Sequence, residues 1–235
     1  MAEQNSFPEA YDANRYERPS VTVDLVIFTL RREQLQTLLI KRKNWPCEGA
    51  WALPGGFVRL DESLEEAARR ELEEETGLRD VYLEQLYTFG HPDRDPRSRV
   101  ITVAYFALIS SDQLQLCAAT DAADVAWFPA TDPPPLAFDH ADILSYAVTR
   151  LRYKLEYSAV GFQLLPAEFT LTELQTAYET ILNEKLDKRN FRRRILQAGV
   201  VEKTNFHREG GHRPAKLYRF RDDAVAEIKA RRLFP

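Results

Sequence analysis

The segment Gly56–Leu78 constrains the fold more than any other part of the chain. Ser63 and Glu66 have the spacing of a capping box, in which side chains and backbone N–H groups at a helix start satisfy one another. Gly77 stands where a left-handed residue would end the same helix. Together these signals predict a helix over Leu64–Thr76.

Three carboxylates of this helix lie on or beside its apolar stripe. At ~100° per residue, Glu71 and Glu75 fall within ~20° of Leu64, and Glu74 lies at about −80°. The predicted core-facing arc contains Leu64, Ala67, Ala68 and Leu72, and the solvated arc contains Glu65, Arg69, Glu73 and Thr76. Carboxylates turned toward a protein interior repel one another and are costly unless a cation neutralises them.

The spacing of these carboxylates suits one divalent cation. Glu71, Glu74 and Glu75 stand at i, i+3 and i+4, so their oxygens can converge on one hard ion such as Mg²⁺ or Mn²⁺. Arg70, at the border of the two faces, can pair with one of them and fix its rotamer. The alternative is an ordinary charged surface helix, and the angular placement disfavours it.

Apolar and β-branched runs on both sides of this helix predict a mixed sheet. The predicted strands cover residues 21–30, 36–42, 81–89, 99–109 and 124–128. Pro54-Gly55-Gly56 is predicted to form a loop, and the prolines at 133–135 precede a helix within residues 138–157. We expect a first domain at residues 1–157, a linker at 158–168 and a second domain at 169–235.

The second domain has the layout of two helices followed by a hairpin. A second capping box opens a predicted helix over Leu171–Leu182. Another is predicted over Lys188–Ala198, with Phe191, Ile195 and Leu196 pointing inward. A helix, a short turn and a basic helix are typical of a helix-turn-helix unit.

Predicted strands over Val200–Asn205 and Leu217–Phe220 would enclose a basic wing. Residues 166–235 carry a net charge of +5 and residues 1–165 a net charge of −9, which makes the basic part a candidate for nucleic-acid binding. The candidate DNA-binding residues are Lys188, Arg189, Arg192, Arg193, Arg194, Arg208, His212, Arg213 and Lys216. A dimerising or solvated appendage is the alternative, because basic helices are common.

The loop over residues 90–99 is rich in arginine and contains two prolines that stiffen it. Arginine can clamp a phosphate through two parallel hydrogen bonds, although an ordinary charged hairpin loop would have the same composition. Trp51 and Phe57 could pack on a base, but a core position is the favoured role. The candidate substrate-binding residues are Arg42, Trp51, Gly55, Gly56, His91, Arg94, Arg97 and Arg99.

The chain has no segment with the composition of a secretory signal or a membrane span. The first twenty residues are polar, and no apolar run reaches ~18 residues. Cys47 and Cys117 are too few for a disulfide framework or a thiolate metal site. We therefore expect a soluble, cytoplasmic protein that performs no redox chemistry.

The segment Gly56–Leu78 also matches a family motif. Its spacing is G-x5-E-x7-R-E-U-x-E-E-x-G-U, with U apolar, and the chain therefore resembles the Nudix family. The resemblance implies an α/β/α sandwich around a mixed sheet and hydrolysis of nucleoside diphosphate-linked compounds. It implies that Glu71, Glu74 and Glu75 bind the metal, that Arg70 orients a glutamate, and that Glu62 and Gly56 assist. One carboxylate of the metal cluster would help to deprotonate the attacking water.

Further motifs extend the resemblance to nearly the whole chain. The run His-Pro-x-Arg-Asp-Pro-Arg from His91 is similar to the loop of ADP-ribose-handling Nudix proteins. The runs F-T-L-x-E-L-Q from Phe169, N-F-R-R-R from Asn190 and G-H-R-P-A-K-L-Y from Gly211 resemble the NrtR family of Nudix-related transcriptional regulators, as does F-D-H from Phe138.

The NrtR resemblance implies a homodimeric bacterial repressor that senses ADP-ribose, binds a double-stranded operator and controls genes of NAD metabolism. Several such regulators have a degraded Nudix box, whereas this chain keeps every carboxylate, so we expect its catalytic ability to remain. The alternative is a plain Mg²⁺-dependent ADP-ribose pyrophosphatase whose C-terminal region serves only dimerisation.

Overall fold

A mixed β-sheet forms the centre of the N-terminal part. The computed structural model describes residues 15–110, 112–113, 124–208 and 214–221. Strand β1 is parallel to β6, and the other pairings in this sheet are antiparallel, in the order β3-β2-β1-β6-β5, with β4 on β1 and β7 on β2. The strands are β1 Ser20–Arg31, β2 Gln34–Lys41, β3 Trp51–Ala52, β4 Gly55–Phe57, β5 Tyr82–Phe89, β6 Val100–Ile109 and β7 Val125–Pro129.

Helices cover both faces of this sheet. Helix α1, Leu64–Thr76, packs on one face, and helix α2, His140–Tyr157, packs on the other. Residues of β1 alternate between the two layers, so that Leu25 belongs to the α1 side and Val26 to the α2 side. A strand buried on both faces is a continuous apolar run, as the sequence of β1 is. The expected α/β/α sandwich is therefore confirmed.

The caps of α1 agree with the sequence. Ser63 and Glu66 form the reciprocal capping box, and Gly77 ends the helix with a φ of 72°. The prediction that Thr76 lies on the solvated face is wrong, because Thr76 is buried. Its hydroxyl donates to the carbonyl oxygen of Leu72 at 2.7 Å, which satisfies its polar group inside the fold.

The predicted loop at Pro54-Gly55-Gly56 is partly wrong. Gly55 and Gly56 belong to β4, which pairs antiparallel with β1 so that Gly56 faces Val23. A three-residue strand rich in glycine has no side-chain alternation, and only its backbone pairing makes it a strand. The two-residue strand β3 was missed because two residues are too few to show an alternation of side chains.

The C-terminal part is a winged helix. Helix α3 spans Leu171–Leu182 and helix α4 spans Lys188–Gln197, and they are followed by the antiparallel strands β8, Val201–Arg208, and β9, Ala215–Phe220. Phe191 and Ile195 of α4 are buried as expected. Leu196 was also expected to point inward, but it is 46% exposed, because it stands one position beyond the buried stripe.

A short 3-10 helix at Val160–Leu164 connects the two parts and is mostly buried. One hydrophobic cluster includes residues of α2, this 3-10 helix, α3 and α4. At Gly161 a Cβ would lie 2.7 Å from Leu155 Cδ2, so the packing here depends on the absence of a side chain. Arg152 Nε of α2 donates to the carbonyl oxygen of Ile181 in α3 at 2.8 Å. The domain boundaries at residues 157 and 169 stay a prediction.

No helix in the described part of the chain is both long and apolar enough to cross a bilayer.

Candidate functional site

Arg70, in the middle of α1, is the centre of a carboxylate cluster. Its guanidinium forms two hydrogen bonds with Glu62, from Nη2 at 2.8 Å and from Nε at 3.0 Å. Its Nη1 donates to Glu71 Oε1 at 2.5 Å and lies 3.6 Å from Glu74 Oε2. The hydrogen bonds from Arg70, followed by that from the backbone N–H of Arg59, lower the pKa of Glu62 to about 2. Glu62 and Glu71 therefore have fixed orientations.

Gly56 allows the carboxylate of Glu71 to approach strand β4. A Cβ at residue 56 would lie 2.2 Å from Glu71 Oε1 and 2.8 Å from its carboxyl carbon. Any side chain at this position would displace the carboxylate, which is buried. The glycine therefore places a backbone strand and a carboxylate in direct contact, where both can supply oxygen donors.

Glu75 experiences the charges of its two acidic neighbours. Burial is the largest cause of its raised pKa, and repulsion from Glu71 and Glu74 raises it further, while Lys43 opposes the shift. Glu74 is the most exposed of the three, with 54% of its side-chain surface accessible, and lies 3.8 Å from Arg59. The sequence prediction placed all three carboxylates on or beside the inward face, and Glu74 lies at its edge.

The donors of this cluster fit a hard divalent cation. They are carboxylate oxygens and the backbone carbonyl of Gly56, and their mutual repulsion is relieved by a positive charge. Among the described residues, no three acidic, histidine or cysteine side chains already converge closely enough to enclose an ion. Side-chain rotation at the accessible Glu74 would therefore be part of binding.

A cleft of about 660 Å³ lies between the loop after β5 and the start of α2. It is lined by Cys47, Phe89, Gly90, His91, Asp93, Arg94, Pro96, Phe138, Asp139 and Asp142. Phe57, which follows Gly56, has its ring centroid 5.4 Å from the guanidinium carbon of Arg97, and the same carbon lies 5.8 Å from the ring centroid of Phe138 in the cleft wall. The loop predicted to bind substrate therefore does border a concave site.

Arg94 holds this cleft together from inside. Its guanidinium is buried and contacts Asp139 at 2.7 Å and Asp24 at 3.1 Å. His140, also buried, accepts the backbone N–H of Leu53 on Nδ1 at 2.9 Å, which leaves its Nε2 3.7 Å from Asp24. Burial lowers the pKa of His140, so the neutral ring is favoured. Arg94 is thus neutralised by two carboxylates, unlike a free phosphate clamp.

The other predicted substrate residues differ in their availability. Arg97 forms hydrogen bonds with Asp95, and Arg99 donates to the carbonyl oxygens of His91 and Val100. His91 is exposed, and Arg42 donates from Nε to the carbonyl oxygen of Pro46. Trp51 packs on Phe128 at 4.8 Å and joins the core, while Phe57 is 48% exposed. At Gly55 a Cβ would lie 2.2 Å from the carbonyl oxygen of Val23, so its role includes close strand packing.

Asp24, Asp139 and His140 were not among the predicted site residues. Asp24 is one acidic residue within the apolar run of β1, and a charge there must be paired when the strand is buried. That signal was available in the sequence. Arg94 is 70 residues from Asp24 and 45 residues from Asp139 along the chain, and no spacing rule connects them.

The basic residues of the winged helix form two groups. Arg193, Lys188, Arg189 and Lys216 are exposed. Arg208 is tied to the start of α3, because it contacts Glu173 at 2.7 Å and the carbonyl oxygen of Glu168 at 3.1 Å. Arg192 contacts Thr172 at 2.9 Å, and Arg194 is half-buried. His212 and Arg213 lie outside the described residues.

Family profiles cover both parts of the chain. The NUDIX domain profile matches residues 20–147, and the profile of the NrtR DNA-binding winged helix domain matches residues 161–220. The ADPR responsive transcriptional repressor NtrR of Acinetobacter baylyi is 44% identical over 226 residues, which are 94% of this chain and 89% of that protein. The chain belongs to the NrtR family.

Solved structures agree with the NrtR assignment. The crystal structure of Shewanella oneidensis NrtR complexed with a 27mer DNA has a TM-score of 0.80 and 41% identity, and covers 88% of this chain and 95% of that one. The present chain is also similar to the ADP-ribose pyrophosphatase of Methanocaldococcus jannaschii, with 42% identity over 129 residues, which are 55% of this chain and 73% of that enzyme. The predicted family and fold are therefore confirmed.

We predict that Glu75→Gln stabilises the protein when divalent cations are chelated. Because the folded-state pKa of Glu75 is raised, its ionised form costs folding free energy at neutral pH, and glutamine removes that cost. After discounting for solvent screening, we expect the melting temperature at pH 7 to rise by about 2 °C. The difference should shrink as the pH falls, because protonation then neutralises the wild-type side chain.

Glu73→Gln on the same helix is the matched control. Glu73 contacts Arg79 at 2.6 Å, so its neutralisation should leave the melting temperature unchanged or slightly lower. A Glu75→Gln protein that melts below the wild type at pH 7 in chelator would contradict the repulsion inferred for the cluster.

Proposed function

We propose that this protein is an ADP-ribose-responsive transcriptional regulator whose Nudix domain also hydrolyses ADP-ribose or a related nucleoside diphosphate derivative. The observation that carries the proposal is the union, in one chain, of a complete acidic cluster on α1 and a winged helix with a basic second helix. The printed names of the repressor and the pyrophosphatase relatives support the same ligand.

The ligand we propose carries two phosphates, because the site combines cation-binding carboxylates with nearby arginines. Mg²⁺ or Mn²⁺ would be held by Glu71, Glu74 and Glu75 with the carbonyl of Gly56. Arg97 and Arg42, beside the cleft, would contact phosphate oxygens, and the exposed ring of Phe57 packs against Arg97. Arg94 would act indirectly, by holding Asp24 and Asp139 in the wall of the cleft.

Hydrolysis of a diphosphate requires a water oxygen to attack one phosphorus while the bond to the bridging oxygen breaks. A bound divalent cation supplies neutralisation of phosphoryl charge and lowers the pKa of water. A carboxylate of the cluster would accept the proton of that water, and Arg70 would hold Glu62 and Glu71 in place while it does so. The products from ADP-ribose are AMP and ribose 5-phosphate.

We predict Mg²⁺-dependent release of AMP and ribose 5-phosphate by the wild type, measured by chromatography. Glu74→Gln should reduce the rate by about 10²-fold or more, because a charged ligand and candidate base is lost. Glu65→Gln, on the solvated face of α1, is the control and should retain the wild-type rate. If the wild type hydrolyses no nucleoside diphosphate derivative, the hydrolase part of the proposal fails, whereas the sensor part can still hold.

For the winged helix we propose binding to a double-stranded operator. The exposed residues Lys188, Arg189 and Arg193 on α4 and Lys216 on β9 would contact the duplex. We propose that the protein acts as a homodimer in the cytoplasm, because a two-fold protein matches two half-sites of an operator. The crystal structure of the Shewanella relative, which is complexed with a 27mer DNA, supports the proposal that the winged helix binds DNA.

We predict that Arg193→Ala weakens binding to a promoter duplex by about tenfold and makes binding less dependent on salt. Fluorescence anisotropy with and without ADP-ribose measures both effects. Arg69→Ala is the control. Arg69 pairs with Glu65 on α1 of the Nudix part, so this variant should bind DNA as the wild type does.

A regulator should also change its DNA affinity when ADP-ribose is added. If the wild type binds no promoter duplex, or if ADP-ribose leaves DNA affinity unchanged, the second candidate is favoured. That candidate is a plain pyrophosphatase whose C-terminal part serves only dimerisation, and the intact carboxylate cluster is equally compatible with it.

A further inference from the structure

Left-handed backbone conformations at residues other than glycine mark an unusual feature of the cleft. In the described part of the chain, positive φ values occur at Arg32, Glu33, Cys47, Phe138 and Asn183. Arg32 and Glu33 form the two-residue turn between β1 and β2, which requires positive φ at both positions. Asn183 is the C-cap of α3, where a left-handed residue is normal. Local turn chemistry therefore explains three of the five.

The remaining two, Cys47 and Phe138, both line the cleft beside the arginines. Positive φ is a true outlier for a residue as bulky as phenylalanine, and such strain persists only where surrounding contacts impose it. Strained backbone of this kind concentrates at ligand sites. Both outliers occur in the same cleft, which indicates that the backbone there is held by its surroundings.

Anchored residues on both sides hold Phe138 in this conformation. Before it, the N–H of Ala137 donates to the carbonyl oxygen of Trp51 at 2.8 Å. After it, Asp139 is paired with the buried Arg94, and the ring of His140 accepts the N–H of Leu53. The flanking backbone is therefore fixed to the sheet and to the cleft wall, which directs the ring of Phe138 toward the arginines.

Two guanidinium groups meet the ring of Phe138. The guanidinium carbon of Arg42 lies 4.7 Å from the ring centroid and that of Arg97 lies 5.8 Å from it. Both distances are within the range of a cation–π interaction. Both arginine side chains are thereby held against the ring of one residue that lines the cleft.

Arg42 has the free charge of this pair. Arg97 is partly neutralised by Asp95, whereas Arg42 has no carboxylate within ion-pair distance among the described residues. The only hydrogen bond of its guanidinium to a described group runs from Nε to the carbonyl oxygen of Pro46, next to the strained Cys47. A half-buried guanidinium without a counter-charge is suited to an anionic ligand.

We propose that Phe138 is a positioning residue for the diphosphate, which acts by holding the side chains of Arg42 and Arg97 against its ring beside the cleft. This inference rests on the proposed function, because it takes the ligand to be a nucleoside diphosphate derivative. The ring fixes the two guanidinium groups before the ligand arrives, so that less side-chain freedom is lost on binding. Phe138 itself makes no hydrogen bond to the ligand in this view.

The test is a double-mutant cycle with the α,β-methylene analogue of ADP-ribose, whose bridging carbon prevents hydrolysis. Calorimetry in the presence of Mg²⁺ measures its affinity for the wild type, Phe138→Leu, Arg42→Gln and the double variant. We expect Phe138→Leu to bind about tenfold more weakly. Phe138→Tyr retains the ring and should stay within about twofold of the wild type. Circular dichroism of each variant verifies the fold.

The double variant separates positioning from a general structural role. If Phe138 acts through Arg42, adding Phe138→Leu to Arg42→Gln should cost much less than it costs the wild type, whereas independent effects would multiply. Undiminished affinity of Phe138→Leu, equal losses in both backgrounds, or a Tyr variant as weak as Leu would overturn the inference. Failure of the wild type to bind the analogue would instead overturn the proposed function, and this inference with it.

Discussion

The crowding of negative charge on the inward edge of α1 is the constraint around which the Nudix part is arranged. Glu71 is buried against Gly56, and the guanidinium of Arg70 donates to Glu62, to Glu71 and to the carbonyl oxygen of Phe57. One guanidinium cannot neutralise Glu62, Glu71, Glu74 and Glu75 together. Burial, followed by repulsion from Glu71 and Glu74, raises the pKa of Glu75, and a divalent cation would relieve both effects. Gly56 of β4 leaves the space that the carboxylate of Glu71 occupies, whereas Gly55 allows β4 to pack closely on β1.

The path from the cleft to the winged helix consists of packed apolar residues. Helix α2 starts at the cleft, where Asp139 and His140 contact Arg94 and Asp24, and its far end lies against the 3-10 helix at 160–164 and α3. The link from Arg152 to Ile181 fixes α2 to the last turn of α3, just before the turn into α4. A change of cleft geometry therefore has a continuous, tightly packed route to α4, the helix that we propose contacts DNA.

Features that depend on local sequence were predictable. Capping boxes at Ser63 and Thr170 and the C-cap at Gly77 arise from residues three or four apart, so their spacing can be read directly. The position of Glu71, Glu74 and Glu75 on or beside the inward face of α1 followed from helical periodicity, whereas Glu62 joins them through Arg70 from the preceding loop. The two strands of the C-terminal hairpin were also predicted, although β8 extends to Arg208 and β9 begins at Ala215.

Features that depend on long-range pairing were not. Strand β4 exists through backbone contacts with β1, and the inward turn of Arg94 depends on Asp24 and Asp139, which are distant in sequence. Leu196 shows the limit of an apolar pattern, since a hydrophobic residue one position off the stripe can remain exposed. The left-handed Phe138 has no signal in its own sequence, because the strain is imposed by neighbours.

Electron paramagnetic resonance of Mn²⁺ titrated into the protein would show whether the α1 carboxylates hold a divalent cation. We expect the free-ion signal to fall with a saturable stoichiometry in the wild type, and to persist when Glu71→Gln removes the buried ligand. An unchanged Mn²⁺ signal in the wild type, both with and without ADP-ribose, would contradict the cation site from which the proposed chemistry starts.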